Sequence, residues 1–145
     1  FIMSANAGEE LGRISRIASG GELSRIMLAI KNVLAEKQIT DTMIFDEIDT
    51  GVSGRAAQKI AYKLKEVSRK RQTVCVTHLA QIAAMADAHF LIQKGVYDGK
   101  TKTSINILNR DEEIKELARI LGGAEITDTV MQSAAEMKEL AMRTK

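Results

Sequence analysis

The chain reads as an α/β protein: a mostly parallel sheet with flanking helices, a closing hairpin and C-terminal helices. Three observations predict this. Segments of three-four helical spacing alternate with short β-branched runs between Gly21 and Thr77. Two strand-like runs then meet around Tyr97-Asp98-Gly99-Lys100, a hairpin-type turn. From Asn109 onward the pattern is helical only.

The elements follow in order. Phe1 to Ser4 reads as a strand end, and Asn6-Ala7-Gly8-Glu9 as a turn. From Gly21 a helix face runs through Leu23, Ile26, Met27, Ile30, Val33 and Leu34, fading near Glu36 to Gln38. Thr42 to Phe45 is a short apolar run of the kind buried in parallel sheets. Gly51 and Gly54 bracket a loop, and a helix over Arg55 to Arg69 buries Ile60, Leu64 and Val67. Thr73 to Thr77 is a β-branched strand, and Leu79 to Ala86 a short helix. The hairpin strands are His89 to Gln93 and Thr103 to Leu108. Asn109 and Glu112 have capping-box spacing, Gly122-Gly123 stops the helix they open, and Thr127 caps the last one. That helix carries its stripe on Val130, Ala134, Met137 and Ala141. Met27, Met43, Met131 and Met137 read as core filler.

Composition narrows the function classes. A length of 145 residues fits one compact unit, 1–145, or one lobe of something larger. The apolar share of 45% suffices for a packed core, and the net charge of +2 does not by itself argue for nucleic acid. Aromatics at 3% argue against a base-stacking surface. The single cysteine, Cys75, excludes an internal disulfide and fits a reducing compartment. No run is apolar enough to cross a bilayer, and Phe1 to Ser4 is no signal peptide. With no initiator Met, Phe1 is expected to be an excision point.

Three short segments carry candidate chemistry. Ser19-Gly20-Gly21-Glu22 opens a helix, whose free N–H groups and partial positive charge suit a phosphate, while glycines let the backbone come close. Taken alone, that segment is an ordinary N-cap. Asp46 and Glu47 end a buried strand, where α/β folds bind ligands. Asp46 suits Mg²⁺ through a water, and Glu47 suits polarising an attacking water. Solvated acids at a strand end are the plain alternative. His78 follows the next strand, in reach of a terminal phosphate or simply as a cap. His89 has no partner motif and reads as structural. Two histidines and one cysteine offer no metal-site spacing. The phosphate-cradling Gly-x-x-x-x-Gly-Lys-Ser/Thr loop is absent from the chain.

Their order adds what each lacks alone. Ala18-Ser19-Gly20-Gly21-Glu22-Leu23-Ser24-Arg25 resembles the signature of SMC-like ABC ATPases. Asp46-Glu47-Ile48-Asp49-Thr50-Gly51-Val52-Ser53-Gly54 narrows the likeness to the RecN family of bacterial double-strand-break repair proteins. Val76 to Ala83 resembles that family's switch segment, and Glu116 to Gly123 its C-terminal end. The resemblance implies the C-terminal lobe of a P-loop NTPase, an ABC-type head without its Walker A lobe.

It also implies how such a head works. ATP and Mg²⁺ are the cofactors of the full-length protein. Ser19, Gly20 and Gly21 meet the γ-phosphate held by a second head in an ATP-dependent homodimer, and Glu22 belongs to the same nucleotide-binding stretch. Asp46 holds Mg²⁺, while Glu47 and His78 act on the head's own nucleotide. Asp49 to Ser53 line the interface between heads. DNA is engaged through the full-length protein, in double-strand-break repair and recombination. No membrane is involved, and the setting is cytoplasmic and nucleoid-associated. This chain alone is expected to hydrolyse no ATP, because the Walker A lysine and amides are missing.

The family pattern is not matched everywhere. Many ABC proteins have aspartate where Ser53 stands, which weakens the coupling role of that position. The family usually has proline where Ala80 stands, a change of local rigidity. Ile48 replaces the proline typical of transporters and favours the SMC-like branch. The run Arg69-Lys70-Arg71 reads first as cations at the C-terminal end of a helix dipole, with contact to DNA as the lesser alternative. The alternatives are half of another SMC-like or ABC head, and an interaction module that binds no nucleotide.

Overall fold

The computed structural model describes residues 2–4, 7–8, 10–34, 41–97, 99–123 and 125–144. The chain divides into two compact units, Phe1–Leu79 and Ala80–Lys145.

The first unit begins with β1 (Ile2–Met3), paired antiparallel with β2 (Gly12–Arg13), and a single turn, α1 (Ile14–Ile17). Helix α2 (Gly20–Val33) starts at the Ser19 cap. Then come β3 (Thr42–Phe45), α3 (Gly54–Ser68) and β4 (Gln72–Cys75). Strands β3 and β4 are parallel, in register from Thr42 opposite Gln72 to Phe45 opposite Cys75. Parallel neighbours need a crossover, and α3 supplies it. Its stripe of Ala57, Ile60, Ala61, Leu64 and Val67 is buried, and Leu28, Met43, Phe45 and Ile48 complete the core. Each large side chain there contributes roughly 1.5–3 kcal/mol by leaving water. The opposite side of the sheet is bare: Ile44 is 72% exposed, and Val74 and Val76 are exposed with it.

The second unit holds α4 (Ala80–Ala83), the hairpin β5 (Phe90–Tyr97) and β6 (Lys100–Ile107), then α5 (Arg110–Gly122) and α6 (Asp128–Arg143). Leu117, Ala118, Ala134 and Ala141 are buried where the last two helices meet. Small residues let them approach closely. At Gly122 a Cβ would lie 3.1 Å from Val130 Cγ1. Asn109 accepts from the amides of Asp111 and Glu112, and Glu112 returns a bond to the Asn109 amide, the capping box expected from the sequence. Gly123 leaves α5 with a positive φ, and Thr127 caps α6.

Several expectations are corrected. Among the described residues the pairing is not mostly parallel: there are three two-stranded sheets, and only β3–β4 is parallel. Among the described residues only β3 and β4 pair across a helix; the other two pairs are joined by short connections, which suit antiparallel pairing. Strand β4 stops at Cys75, not Thr77, because Thr77 and His78 turn toward Asp49. The helix expected over Leu79 to Ala86 shortens to α4, then tightens into i→i−3 bonds at Met85 and Ala86. Both hairpin strands are longer than their apolar runs, because the register carries through polar residues to Tyr97 opposite Lys100. Met27 is exposed and does not fill the core. The fading of α2 near Glu36 to Gln38 lies outside the described residues, as do Asn6 and Glu9 of the first turn. Among the described residues no helix is long and apolar enough to cross a membrane.

Candidate functional site

The parallel register decides what stands at the C-terminal end of the first unit's sheet. Because Phe45 is opposite Cys75, Asp46-Glu47 and Thr77-His78 leave the two strands at the same end. The Val76 amide donates to the Phe45 carbonyl at 2.9 Å, carrying the pairing one residue further.

The loop after β3 is held by α2. Ser24 Oγ donates to the Asp46 carbonyl at 2.9 Å. Arg25 Nη1 donates to the carbonyls of Ile48 at 3.2 Å and Thr50 at 2.8 Å. A Cβ on Gly21 would fall 2.9 Å from the Thr50 carbonyl oxygen, so helix and loop can touch only where there is no side chain. Ile48 is wholly buried and pins the loop from inside. Ser24 and Arg25 lie one turn beyond the glycines. Their place in the signature stretch was visible in the sequence, but their partners were not.

Glu47 sits in the left-handed region at φ 56°, unusual for a residue with a Cβ. That conformation costs about 1–2 kcal/mol. A Cβ on Gly20 would lie 2.7 Å from Glu47 Oε2, so the carboxylate stands beside the bare backbone that starts α2. The Asp46 carboxylate accepts from the Glu47 amide at 2.9 Å, and both acids are exposed. At the helix start, Ser19 Oγ donates to Glu22 Oε2 at 2.8 Å and accepts from the Glu22 amide at 3.3 Å. The Ser19 amide donates to the same carboxylate at 2.8 Å. These two hydrogen bonds, from the backbone and then the hydroxyl of Ser19, hold the Glu22 pKa below its ordinary value.

Asp49 differs from its neighbours in being 3% exposed. Its Oδ2 accepts from Thr77 Oγ1 at 2.6 Å and from the His78 amide at 2.9 Å, and lies 3.1 Å from His78 Nδ1. Burial pushes its pKa up, but the Thr77 hydroxyl, the His78 amide and the His78 charge outweigh that and leave it lowered. The His78 side chain is 74% exposed. Ser53 precedes α3 without a side-chain cap bond and is exposed. At Cys75, burial first, then the charges of Asp49 and Asp46, push the thiol up to about 12. Among the described residues no group of three His, Cys, Asp or Glu is placed to hold a metal. Asp46 stands there as a single exposed carboxylate at the end of β3.

The comparisons with known proteins bear on the whole of this arrangement. No protein-family model matches the chain. The DNA repair protein RecN of Bacillus subtilis is 48% identical over 145 residues, all of this chain and 25% of the relative. That of Deinococcus radiodurans is 46% identical over 134 residues, 92% of this chain and 23% of the relative. The chain is similar to a segment of the RecN proteins of both organisms. It spans about a quarter of the length of the curated relatives it matches. The Bacillus subtilis RecN match runs end to end, so the start of α2, the loop after β3 and His78 all lie inside the RecN-like region. A solved structure, described under the structural biochemistry of ATP-driven dimerization and DNA stimulated activation of SMC ATPases, shares the fold. Its TM-score is 0.52 over 79% of this chain and 68% of that one, at 23% identity.

Proposed function

We propose that this chain is the C-terminal part of an ATPase head in a RecN-type protein, working in DNA double-strand-break repair. One observation carries the reading most. The parallel pair β3–β4 delivers two carboxylates and a histidine to one sheet end, beside a glycine-bare helix start. That is a half-built site for a triphosphate.

In this reading the chain's own groups divide the work. Glu47 orients a water and takes its proton. Asp46 is the carboxylate that would hold Mg²⁺. Bound Mg²⁺ would neutralise charge on the phosphate oxygens. His78 turns its exposed ring toward the terminal phosphate. Ser19, Gly20 and Gly21 present the start of α2 to nucleotide held by a second head, with Glu22 locking the Ser19 cap. The stretch through Thr50 to Ser53 borders the same interface. The missing Walker A lobe belongs to the same protein and covers the bare side of β3 and β4. DNA is met through the full-length protein.

The test uses the full-length protein. Mg-ATP turnover is measured for wild type and Glu47→Gln, with ATP-dependent association followed by size. The expected result is a turnover loss on the order of 10²-fold or more with association kept or increased. The 145-residue chain alone should show none. Equal turnover in the two full-length proteins overturns the reading. No turnover in either one favours an interaction module.

A further inference from the structure

We infer that Asp49 is a positioning residue: its buried carboxylate fixes the His78 ring with Nδ1 as the protonated nitrogen and leaves Nε2 facing outward for the reaction. The inference rests on the ATPase reading and adds to it a role for Asp49 within its own head, beside the interface role expected of Asp49 to Ser53.

Four observations converge. Asp49 is buried while the ring it touches is open to solvent. One oxygen, Oδ2, gathers the Thr77 hydroxyl, the His78 amide and His78 Nδ1, so backbone and ring are set from a single point. Nδ1 stands 3.1 Å from that oxygen as an ion-pair contact, and a carboxylate facing a ring nitrogen this closely favours a proton there over a lone pair. The acceptor is itself held. Ile48 is buried beside it, Arg25 grips the carbonyls on both sides of Asp49, and the Val52 amide bonds its carbonyl at 3.3 Å. Thr77 also donates one bond to Asp49 and accepts another from the Leu79 amide at 3.1 Å, closing the turn that carries the ring. An exposed imidazole without such a partner samples several rotamers and both tautomers. Here both choices are made before any ligand arrives, which is how a supporting residue contributes to rate.

Asp49→Asn tests this in the full-length protein. Asparagine keeps the shape and can still accept from Thr77 and the His78 amide, so thermal stability should stay close to wild type. Its neutral oxygen holds the ring, and favours the Nδ1 proton, more weakly. The kcat for Mg-ATP should fall about tenfold or more with KM within about twofold. The double variant Asp49→Asn/His78→Ala should be no slower than His78→Ala, because both changes remove one device. Thr77→Val, which leaves the carboxylate–ring contact in place, should retain more turnover than Asp49→Asn. Wild-type kcat in Asp49→Asn, or losses that add in the double variant, overturn the inference. So does a loss in Asp49→Asn that follows melting temperature alone. Glu47→Gln runs alongside: wild-type turnover there sinks the ATPase reading itself. A dead Glu47→Gln beside an unaffected Asp49→Asn sinks only this inference.

Discussion

At the scale of single residues, burial decides which groups report pH. His89 precedes β5 and its carbonyl accepts from the Leu108 amide at 2.9 Å, yet its Nδ1 is buried with no partner among the described residues. Burial lowers its pKa. Glu113 and Glu116 act to raise it, Lys138 lowers it again, and Arg119 already engages Glu116. The folded value therefore lies below the unfolded one, near 6.5. Stability from neutral His89 is complete above that unfolded value. It is lost as pH falls through about 6.5, where the unfolded chain takes up the proton first. Urea unfolding at pH 7.5 and 5.5 should show wild type losing stability and His89→Gln losing less. Identical pH slopes would refute the assignment. Asp49 acts in a separate window: its pKa is lowered, so its contribution is complete above the unfolded carboxylate value and disappears only in stronger acid.

Among the elements, α5 and α6 carry the clearest energetic stake. Lys138 is buried on α6, 3.0 Å from Glu113 Oε2 on α5, and its ammonium also donates to the Ala86 carbonyl at 3.0 Å. Lys138 lies on the same stripe as Ala134 and Ala141, at four and three residues' distance, but its charge kept it out of the apolar pattern. Removing one member of such a pair strands the other in an apolar setting. Lys138→Met should destabilise the chain by about 3–5 kcal/mol in chemical denaturation. Glu113→Leu added to it should recover most of the loss, since the pair is then replaced by packing. A double variant as unstable as the single would show that the ion pair, and not the stranded charge, sets the energy.

For the molecule as a whole, exposed apolar surface is the dominant fact. Ile44, Val74 and Val76 lie bare on a parallel pair, a type of sheet that normally buries both faces. In the second unit, Phe90 opposite Ile107 and Ile92 opposite Ile105 form a cross-strand ladder that is also exposed. An isolated hairpin is marginal without cover. The curated relatives are about four times as long as this chain, and in the proposed full-length protein the added length would cover these faces. Ile44→Asp separates the two settings. In the 145-residue chain it should change stability by less than about 0.5 kcal/mol. In the full-length protein it should cost about 2 kcal/mol or more, as a carboxylate is buried without a partner. Equal small effects in both would mean that this face stays open.

Most elements were legible from spacing alone. Thr42–Phe45 came out residue for residue, α3 within one residue at each end, and the Asn109 capping box with both its bonds. Periodicity and caps are local, so the chain determines them by itself. The order of helix start, paired acids and histidine was legible for the same reason, and it led to the RecN likeness. What only the tertiary structure decided is which way each group faces and what it meets. It turned Asp49 inward to Thr77 and His78, set Arg25 on the loop carbonyls, and buried Lys138 against Glu113. Those partners are about 23 to 29 positions apart in the chain, and no pattern of spacing selects among the carboxylates and carbonyls within reach. Close packing and the burial cost of an unpaired polar group make that choice.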